Sequence, residues 1–329
     1  MREREELAVC GIFRLVLRCV PYPAYMNVFD DSLSLVVDDC WSNWLKHGRD
    51  GGNAILRDHV AIQTKAFAEK VLSVVEHPPK TMLDIGSGDG LMAWAALALW
   101  PHLKVTITDI SPALLMQAKA EATKRGVVSQ CSFVLANAET LHSIADDSQD
   151  LIVSRSTIAY VADKPAAFNA VLRVLKPGGT MSIAEPFFRE QAHSAILLKQ
   201  ASKDMSSPLL ALLYRWKAAQ FIEPLDASQP NVLTNYTEQD LLSFAYQAGF
   251  HALHLELHLD ERQAPPRDWK TFCAMSPHPL APSSGEILAT RFSSKERAML
   301  EAAIRPNIEK GEFSMVSRMI YLHGRKPAH

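Results

Sequence analysis

The sequence predicts an α/β protein built on a doubly wound, mostly parallel sheet of about seven strands. From Lys80 onwards, short apolar runs that are typical of buried strands alternate with segments of helical length. This alternation favours parallel strands with helices on both faces, joined by right-handed crossovers. The first apolar run also ends in a glycine-rich turn, and such turns bind ligands in sheets of this class.

Each predicted element follows from a local pattern. Strands are expected at TMLDIG, KVTITDI, CSFVLAN, DLIVSRS, TMSIAEPF, HALHLELHLD and FSMVSRMIYLHG. Helices are expected at LMAWAALALW, SPALLMQAKAEATKRG, KPAAFNAVLRVLKPGG, TEQDLLSFAYQAGF and SSKERAMLEAAIRPNIEKG. Ser111 caps one of these helices and Gly126 ends it, while Thr237 and Gly249 bound another.

We expect two regions along the chain. Residues 1–79 form a helical N-terminal cap, including a helix from about Leu56 to Val75, and residues 80–329 form the main domain. A helical insertion at 188–236 and a Pro-rich, irregular loop at 261–290 interrupt that domain. Long insertions in a compact domain usually serve function, so these additions are expected to form a lid.

Composition narrows the class of partner. The 329-residue chain has a formal net charge of -2, and its basic residues are dispersed among acidic ones, so nucleic acid is not an expected partner. The N-terminal apolar run is too short and too charged to span a membrane. The five cysteines are widely spaced without a C-x-x-C pair, which argues against a disulfide framework and favours a cytoplasmic location. A homodimer is left open.

The segment Asp84-Ile85-Gly86-Ser87-Gly88-Asp89-Gly90 indicates where the chemistry lies. Glycines at this turn let a ligand approach the backbone closely. The spacing G-x-G-x-G differs from the dinucleotide pattern because position 91 is Leu, and no Lys-Ser/Thr pair follows as in a P-loop. Asp109 ends the second strand, where a carboxylate can accept hydrogen bonds from both hydroxyls of a ribose.

With these motifs in order, the chain resembles the class I S-adenosylmethionine-dependent methyltransferases. The resemblance rests on DIGSGDG, TDIS, ANAE and LKPGGTMSIAEP, and it covers about residues 80–190. Within that class it is most similar to the small-molecule branch related to the ubiquinone and menaquinone C-methylases, which have a Rossmann-like fold.

The resemblance implies a site for each part of S-adenosylmethionine. The methionine moiety would lie against Asp84, Gly86, Ser87, Gly88 and Gly90. The ribose and adenine would contact Asp109 and Ile110, and Asn137 and Ala138 would border the adenine edge. Many relatives have Asp where this chain has Asn137, but an Asn carbonyl can still accept from the exocyclic amine.

The carboxyl ends of the fourth and fifth strands should hold the acceptor molecule. Ser154 lies there beside the cofactor, and Arg155 could bind an acidic group or pair with a local acid. Tyr160 could contact the acceptor or belong to the core. Glu185 could act as a base or cap the following turn.

The loop HGRDGGN at 47–53 and the lid aromatics are further candidates. Arg49 lies beside two glycines and could reach the cofactor carboxylate, although the loop could equally be an exposed helix break. The aromatic residues of the additions could wall a small pocket or form the cores of the caps themselves: Trp41, Trp44, Tyr214, Trp216, Phe221, Trp269 and Phe272.

Alternation places His254, Glu256, His258 and Asp260 on one face of the sixth strand. A metal could be bound at this spacing, but a solvated face of an edge strand accounts for the pattern better, so no metal is expected.

These observations favour an enzyme that transfers the methyl group of S-adenosylmethionine to a small molecule. Two alternatives stay open: a non-catalytic or regulatory module that binds the cofactor, and a nucleic-acid methyltransferase. The second lacks its expected Asn/Asp-Pro-Pro-aromatic segment, because SRST follows the fourth strand.

Overall fold

The computed structural model describes residues 37–221 and 231–328. Part of the predicted N-terminal cap and the end of the predicted helical insertion therefore lie outside the described residues. The domain boundary at residue 79 stays a prediction.

Seven strands form one sheet, as the alternation of apolar runs predicts. Their bounds are β1 Thr81–Ile85, β2 Lys104–Asp109, β3 Cys131–Leu135, β4 Gln149–Arg155, β5 Leu175–Pro186, β6 His251–Gln263 and β7 Ser314–Arg325. The strand order is β3-β2-β1-β4-β5-β7-β6. Strands β1 to β5 pair in parallel, and β7 is antiparallel to both of its neighbours. The predicted fold class is confirmed.

The register of the sheet aligns the carboxyl ends of β1, β2 and β4. Ile85 of β1 pairs with Thr108 of β2 on one side and with Ser154 of β4 on the other. The glycine loop after β1, Asp109 and Arg155 therefore lie along one edge, at the carboxyl ends of central strands. This edge is where ligands bind in open α/β sheets.

Helices cover both faces of the sheet. One face packs against α2 Ala54–Leu72, α3 Leu91–Leu99 and α4 Pro112–Lys124, and the other against α5 Lys164–Val174 and α8 Glu238–Ala248. The sheet is thus the middle layer of a sandwich with two apolar cores. A short helix, α1 Cys40–Asn43, precedes a π-helical turn at Trp44–Gly48.

The additions form a third, smaller core. It contains Leu212, Ile287, Leu288, Phe292 and Leu300. These side chains come from α7 Pro208–Ala218, from α10 Ser284–Arg291 and the residue that follows it, and from α11 Ser294–Lys310. Helix α6 Arg189–Asp204 packs beside α7. The helices predicted within the insertion are therefore present.

The expectation of an irregular segment at 261–290 is wrong. Strand β6 continues to Gln263, and the segment contains α9 Trp269–Ala274 and α10. The prolines dominate the local pattern, but Asp268 and Ser283 cap these helices by accepting from the backbone amides of Thr271 and Glu286.

Within the described ranges, no helix combines the length and the apolar character that crossing a membrane requires.

Candidate functional site

The loop after β1 is built around three glycines in the left-handed region, with φ of 61° at Gly86, 57° at Gly88 and 79° at Gly90. A Cβ at Gly86 would lie 2.2 Å from Thr157 Oγ1, and one at Gly90 would lie 2.4 Å from the Trp94 ring. At Gly88 the nearest atom would be Leu45 Cδ1 at 3.3 Å. Packing therefore requires the outer glycines, whereas Gly88 leaves its backbone accessible to a ligand.

Asp109 fixes this loop to the end of β2. Its Oδ2 accepts from the Gly88 amide at 2.9 Å and its Oδ1 from the Ser111 amide at 2.9 Å. Each carboxylate oxygen keeps a further lone pair that can accept from a ligand hydroxyl. Burial raises the pKa of Asp109 to about 6, so the carboxylate is mostly ionised at neutral pH.

Asp84 lies at the end of β1 under the loop. Its Oδ2 accepts from the Ala93 amide at 3.2 Å, while Oδ1 is buried without a partner in the described chain. Burial raises the pKa of Asp84 to about 8, and the nearby charge of Asp109 acts in the same direction. The carboxyl is thus mostly protonated at neutral pH until a cation approaches it.

Other polar atoms around the loop are also buried and unpaired, considering residues 37–221 and 231–328. They are Ser87 Oγ, Arg49 Nε and Arg155 Nε. Buried polar groups are nearly always hydrogen-bonded, so orphaned atoms in one region indicate a polar ligand that completes them.

The two arginines reach this region from different elements. Arg49, in the loop after the π-helical turn, lies 3.6 Å from the Asp89 carboxylate through its Nη1. Arg155, at the end of β4, lies over the Phe67 ring at 5.1 Å. Burial lowers the pKa of Arg155; the charge of Asp89 opposes this lowering, and the charge of Arg49 adds to it. The sequence-predicted Arg49 and Arg155 are therefore brought close to the glycine loop.

The residues predicted for the adenine lie at the ends of β2 and β3. Ile110 is 38% exposed, and its apolar side chain is available for a flat ring to cover. Asn137 Oδ1 accepts from the Glu139 amide at 2.8 Å, and Ala138 is buried. The Asn137 oxygen keeps one lone pair for a ligand amine.

Glu185, at the end of β5, uses both carboxylate oxygens within the fold. They accept from the backbone amides of Thr157 and Ala159 at 3.0–3.2 Å and from the Ser154 hydroxyl at 3.4 Å. Glu185 is fully buried, and burial raises its pKa. These contacts favour the turn-capping role over the base role, which stays a prediction. Ser154, which was predicted beside the cofactor, directs its hydroxyl to Glu185.

Tyr160 belongs to a chain of aromatic contacts above the ends of β4 and β5. Its ring lies 5.2 Å from Trp41 and 6.0 Å from Phe188. Phe188 in turn contacts Phe221 at 5.7 Å and His278 at 5.4 Å. Burial raises the pKa of Tyr160 above its usual range, so the phenol stays protonated.

Phe188 and His278 were not among the predicted site residues, because no local motif marks them in the sequence. Of the predicted aromatic residues, Trp41 and Phe221 lie in this cluster. Trp216 and Trp269 instead contact Phe272, at 5.8 and 5.2 Å, within the core of the caps.

The polar face of β6 carries a hydrogen-bonded network around Glu256. Glu256 accepts from Lys70 Nζ at 2.7 Å, lies 2.7 Å from His258 Nε2 and lies 3.3 Å from His254 Nε2. The described ranges contain no group of three or more residues that could hold a metal ion. The face lies on the edge strand of the sheet, as expected.

Comparison with known proteins agrees with this geometry. The profile of a family described as "Methyltransferase domain" matches residues 76–240, which is half of the chain. The chain belongs to this methyltransferase family. S-adenosylmethionine is accordingly its cofactor.

Similar curated proteins are ubiquinone/menaquinone biosynthesis C-methyltransferases UbiE. Those of Shewanella woodyi and Shewanella oneidensis are each 34% identical, over 109 and 113 residues. Each match covers 33% of this chain and 43% of the relative, so the chain aligns with less than half of these proteins' length.

A solved structure supports the fold. The YcgJ protein from Bacillus subtilis covers 81% of this chain and 99% of its own, with a TM-score of 0.50 and 18% identity.

The residues around the glycine loop fit S-adenosylmethionine chemically. The cofactor carries an ammonium, a carboxylate and two ribose hydroxyls. The loop region offers an unpaired carboxyl oxygen of Asp84, the unpaired guanidinium nitrogen of Arg49 and the lone pairs of Asp109.

Proposed function

We propose that this protein transfers the methyl group of S-adenosylmethionine to a small-molecule acceptor. The observation that carries the proposal is the cluster of aromatic side chains at the strand ends beside the glycine loop. Trp41 packs against Tyr160, and Phe221 packs against Phe188, which also contacts Tyr160. Aromatic surface of this kind suits a small, largely apolar acceptor, whereas a nucleic acid would need an open basic groove.

Within this proposal, Asp84, Arg49 and the loop glycines Gly86, Gly88 and Gly90 hold the methionine moiety. Ser87 contributes its unpaired hydroxyl. The ribose is held by Asp109, and the adenine lies against Ile110, Asn137 and Ala138, with Ser154 lining the site at the end of β4. The bound cofactor supplies an electrophilic methyl group on a sulfonium.

The chain contributes chiefly alignment and exclusion of water. The aromatic residues shield the reacting atoms, and fixed orientation of two reactants lowers the barrier more than proton removal does. Arg155 holds an acidic group of the acceptor through its free Nε, and Tyr160 orients the acceptor. The proposal covers oxygen, nitrogen, carbon and sulfur acceptors.

A labelling experiment tests the proposal. The protein is incubated with methyl-tritiated S-adenosylmethionine and a bacterial extract that is separated into small molecules, nucleic acids and proteins. Label in the small-molecule fraction is the expected result. Label in nucleic acid would favour the nucleic-acid alternative, and tight cofactor binding without any transfer would favour a non-catalytic module.

A substitution tests the proposed role of Arg155 in binding the acceptor. Arg155→Met should raise KM for an acidic acceptor by about tenfold or more, because a charge-assisted hydrogen bond is lost, while cofactor affinity stays close to that of the wild type. An unchanged KM would exclude Arg155 from acceptor binding. We place the protein in the cytoplasm, as a monomer or a homodimer that sedimentation would distinguish.

A further inference from the structure

A buried imidazole lies in the aromatic cluster above the sheet. His278, between α9 and α10, is 3% exposed. Its Nε2 lies 3.0 Å from the backbone carbonyl oxygen of Gln220. A carbonyl oxygen only accepts, so Nε2 carries the proton of the neutral ring and Nδ1 is an acceptor.

That acceptor has no partner. His278 Nδ1 is enclosed and makes no hydrogen bond with any residue of the described chain. Burial lowers the pKa of His278 to about 4, and the nearby Lys217 charge acts in the same direction. The ring is therefore neutral at pH 7, and its Nδ1 lone pair is left for a donor.

The surroundings of the ring are apolar and aromatic. His278 lies 5.0 Å from the Phe221 ring and 5.4 Å from the Phe188 ring. Phe188 follows β5 and contacts Tyr160, which follows β4. The imidazole is thus connected to the strand ends where the acceptor molecule must lie. The Phe188 and Phe221 rings offer no proton to Nδ1, and no described residue donates to it, so a ligand that carries a hydroxyl or an amine would complete its hydrogen bonding.

We propose that His278 is a substrate-binding residue whose Nδ1 accepts a hydrogen bond from a neutral donor of the acceptor molecule. The geometry points to a flat, largely apolar acceptor that packs against Phe188 and Phe221 and carries a hydroxyl or amine. This inference rests on the proposed function.

A matched pair of ligands tests the inference. Phenol carries a donor on an apolar ring, whereas anisole has the same ring with a methyl group in place of the hydroxyl proton. Ligand-observed NMR measures both affinities in protein loaded with S-adenosylhomocysteine. We expect the wild type to bind phenol at least fivefold more tightly than anisole.

Two substitutions distinguish the contribution of Nδ1 of the imidazole from that of Nε2. His278→Gln retains a donor that can reach the Gln220 carbonyl but places no acceptor at the Nδ1 position, so the preference for phenol should disappear. His278→Asn retains an acceptor near the Nδ1 position, so part of the preference should remain. His251→Gln, at an exposed position at the start of β6, is the control and should keep the full preference.

A second measurement uses only the wild-type protein. In protein with ¹⁵N-labelled histidine, the Nδ1 resonance of His278 should shift when phenol is added and stay unchanged with anisole. Equal responses to both ligands would indicate a bound water alone and overturn the inference. The same holds if the wild type shows no preference or if His278→Gln keeps it.

Calorimetry with S-adenosylhomocysteine distinguishes failure of the proposed function from failure of the role proposed for His278. A wild type that does not bind it contradicts the proposed function itself. A wild type that binds it but treats phenol and anisole alike contradicts only the role of His278.

Discussion

At the residue scale, the two buried carboxyl groups of the proposed cofactor site, Asp84 and Asp109, differ in how their oxygens are used. Asp109 directs both oxygens to backbone amides of Gly88 and Ser111 and so shapes the loop. Asp84 keeps Oδ1 unpaired, and burial raises its pKa to about 8. The difference predicts that Asp84, more than Asp109, changes protonation when the cofactor binds.

Cofactor binding should therefore release a proton at pH 7. The ammonium of the methionine moiety favours the ionised form of Asp84 and lowers its pKa, so the proton held by the free protein is lost. Calorimetry with S-adenosylhomocysteine should give a more exothermic enthalpy in Tris than in phosphate, because Tris takes up the proton with release of heat.

Asp84→Asn is the control for this proton release. It keeps an acceptor for the Ala93 amide and should bind with the same enthalpy in both buffers. Equal enthalpies in the wild type would show that Asp84 does not give up a proton on binding.

The hydrogen bonds of Glu185 predict that its replacement changes the stability of the fold. Glu185→Leu leaves the buried amides of Thr157 and Ala159 without acceptors, at about 1–3 kcal/mol for each amide. The free energy of unfolding should fall by about 2 kcal/mol or more, measured as a lower urea midpoint with an unchanged slope.

The matched variant is Glu185→Gln, whose amide oxygen still accepts from both amides. It should stay within about 1 kcal/mol of the wild type. Full stability of Glu185→Leu would contradict the capping role and return attention to Glu185 as a base.

At the element scale, the segment from α9 to α10 holds the loop that carries Arg49. The Ser276 amide donates to the Gly48 carbonyl at 2.9 Å, and Trp44 Nε1 donates to the Ser276 carbonyl at 3.1 Å. A Cβ on Gly51 would lie 2.6 Å from the Thr271 carbonyl oxygen of α9. The position of Arg49 therefore depends on an element more than two hundred residues away in sequence.

Two neighbouring glycines test this dependence. Gly51 and Gly52 both have positive φ, at 63° and 75°, but a Cβ on Gly52 would meet nothing within 4 Å. Gly51→Ala and Gly52→Ala thus share backbone strain, and only the first displaces α9. Affinity for S-adenosylhomocysteine should fall several-fold further in Gly51→Ala.

The affinity for 5′-methylthioadenosine supplies the control for these two variants. This ligand lacks the amino-acid part that Arg49 would bind, so both variants should bind it equally well. If the two variants bind S-adenosylhomocysteine with equal affinity, the packing of α9 does not position Arg49.

Elements also differ in how far the sequence predicts them. The β1 to β5 region follows from buried apolar runs bounded by glycines, and the caps at Ser111 and Thr237 are where the sequence places them. The helices α9 and α10 were missed because they are six and eight residues long and flanked by prolines. Their stability comes from packing against α7, which no local pattern reveals.

At the scale of the whole molecule, the proposed cofactor site follows from the sequence more directly than the proposed acceptor site does. Asp84 to Gly90 form one continuous motif, so their proximity is local. The proposed acceptor site combines Trp41, Tyr160, Phe188, Phe221 and His278. These residues come from five separate segments, and the long-range fold alone brings them together.

Calorimetric titration of the wild type and Asp109→Ala with S-adenosylmethionine tests the central claim most directly. We predict one cofactor per chain for the wild type. Asp109→Ala should bind at least tenfold more weakly, because it loses the ribose acceptor and the contact to Gly88; tenfold corresponds to about 1.4 kcal/mol. Absence of binding to the wild type, or equal affinity in the two proteins, would contradict the account.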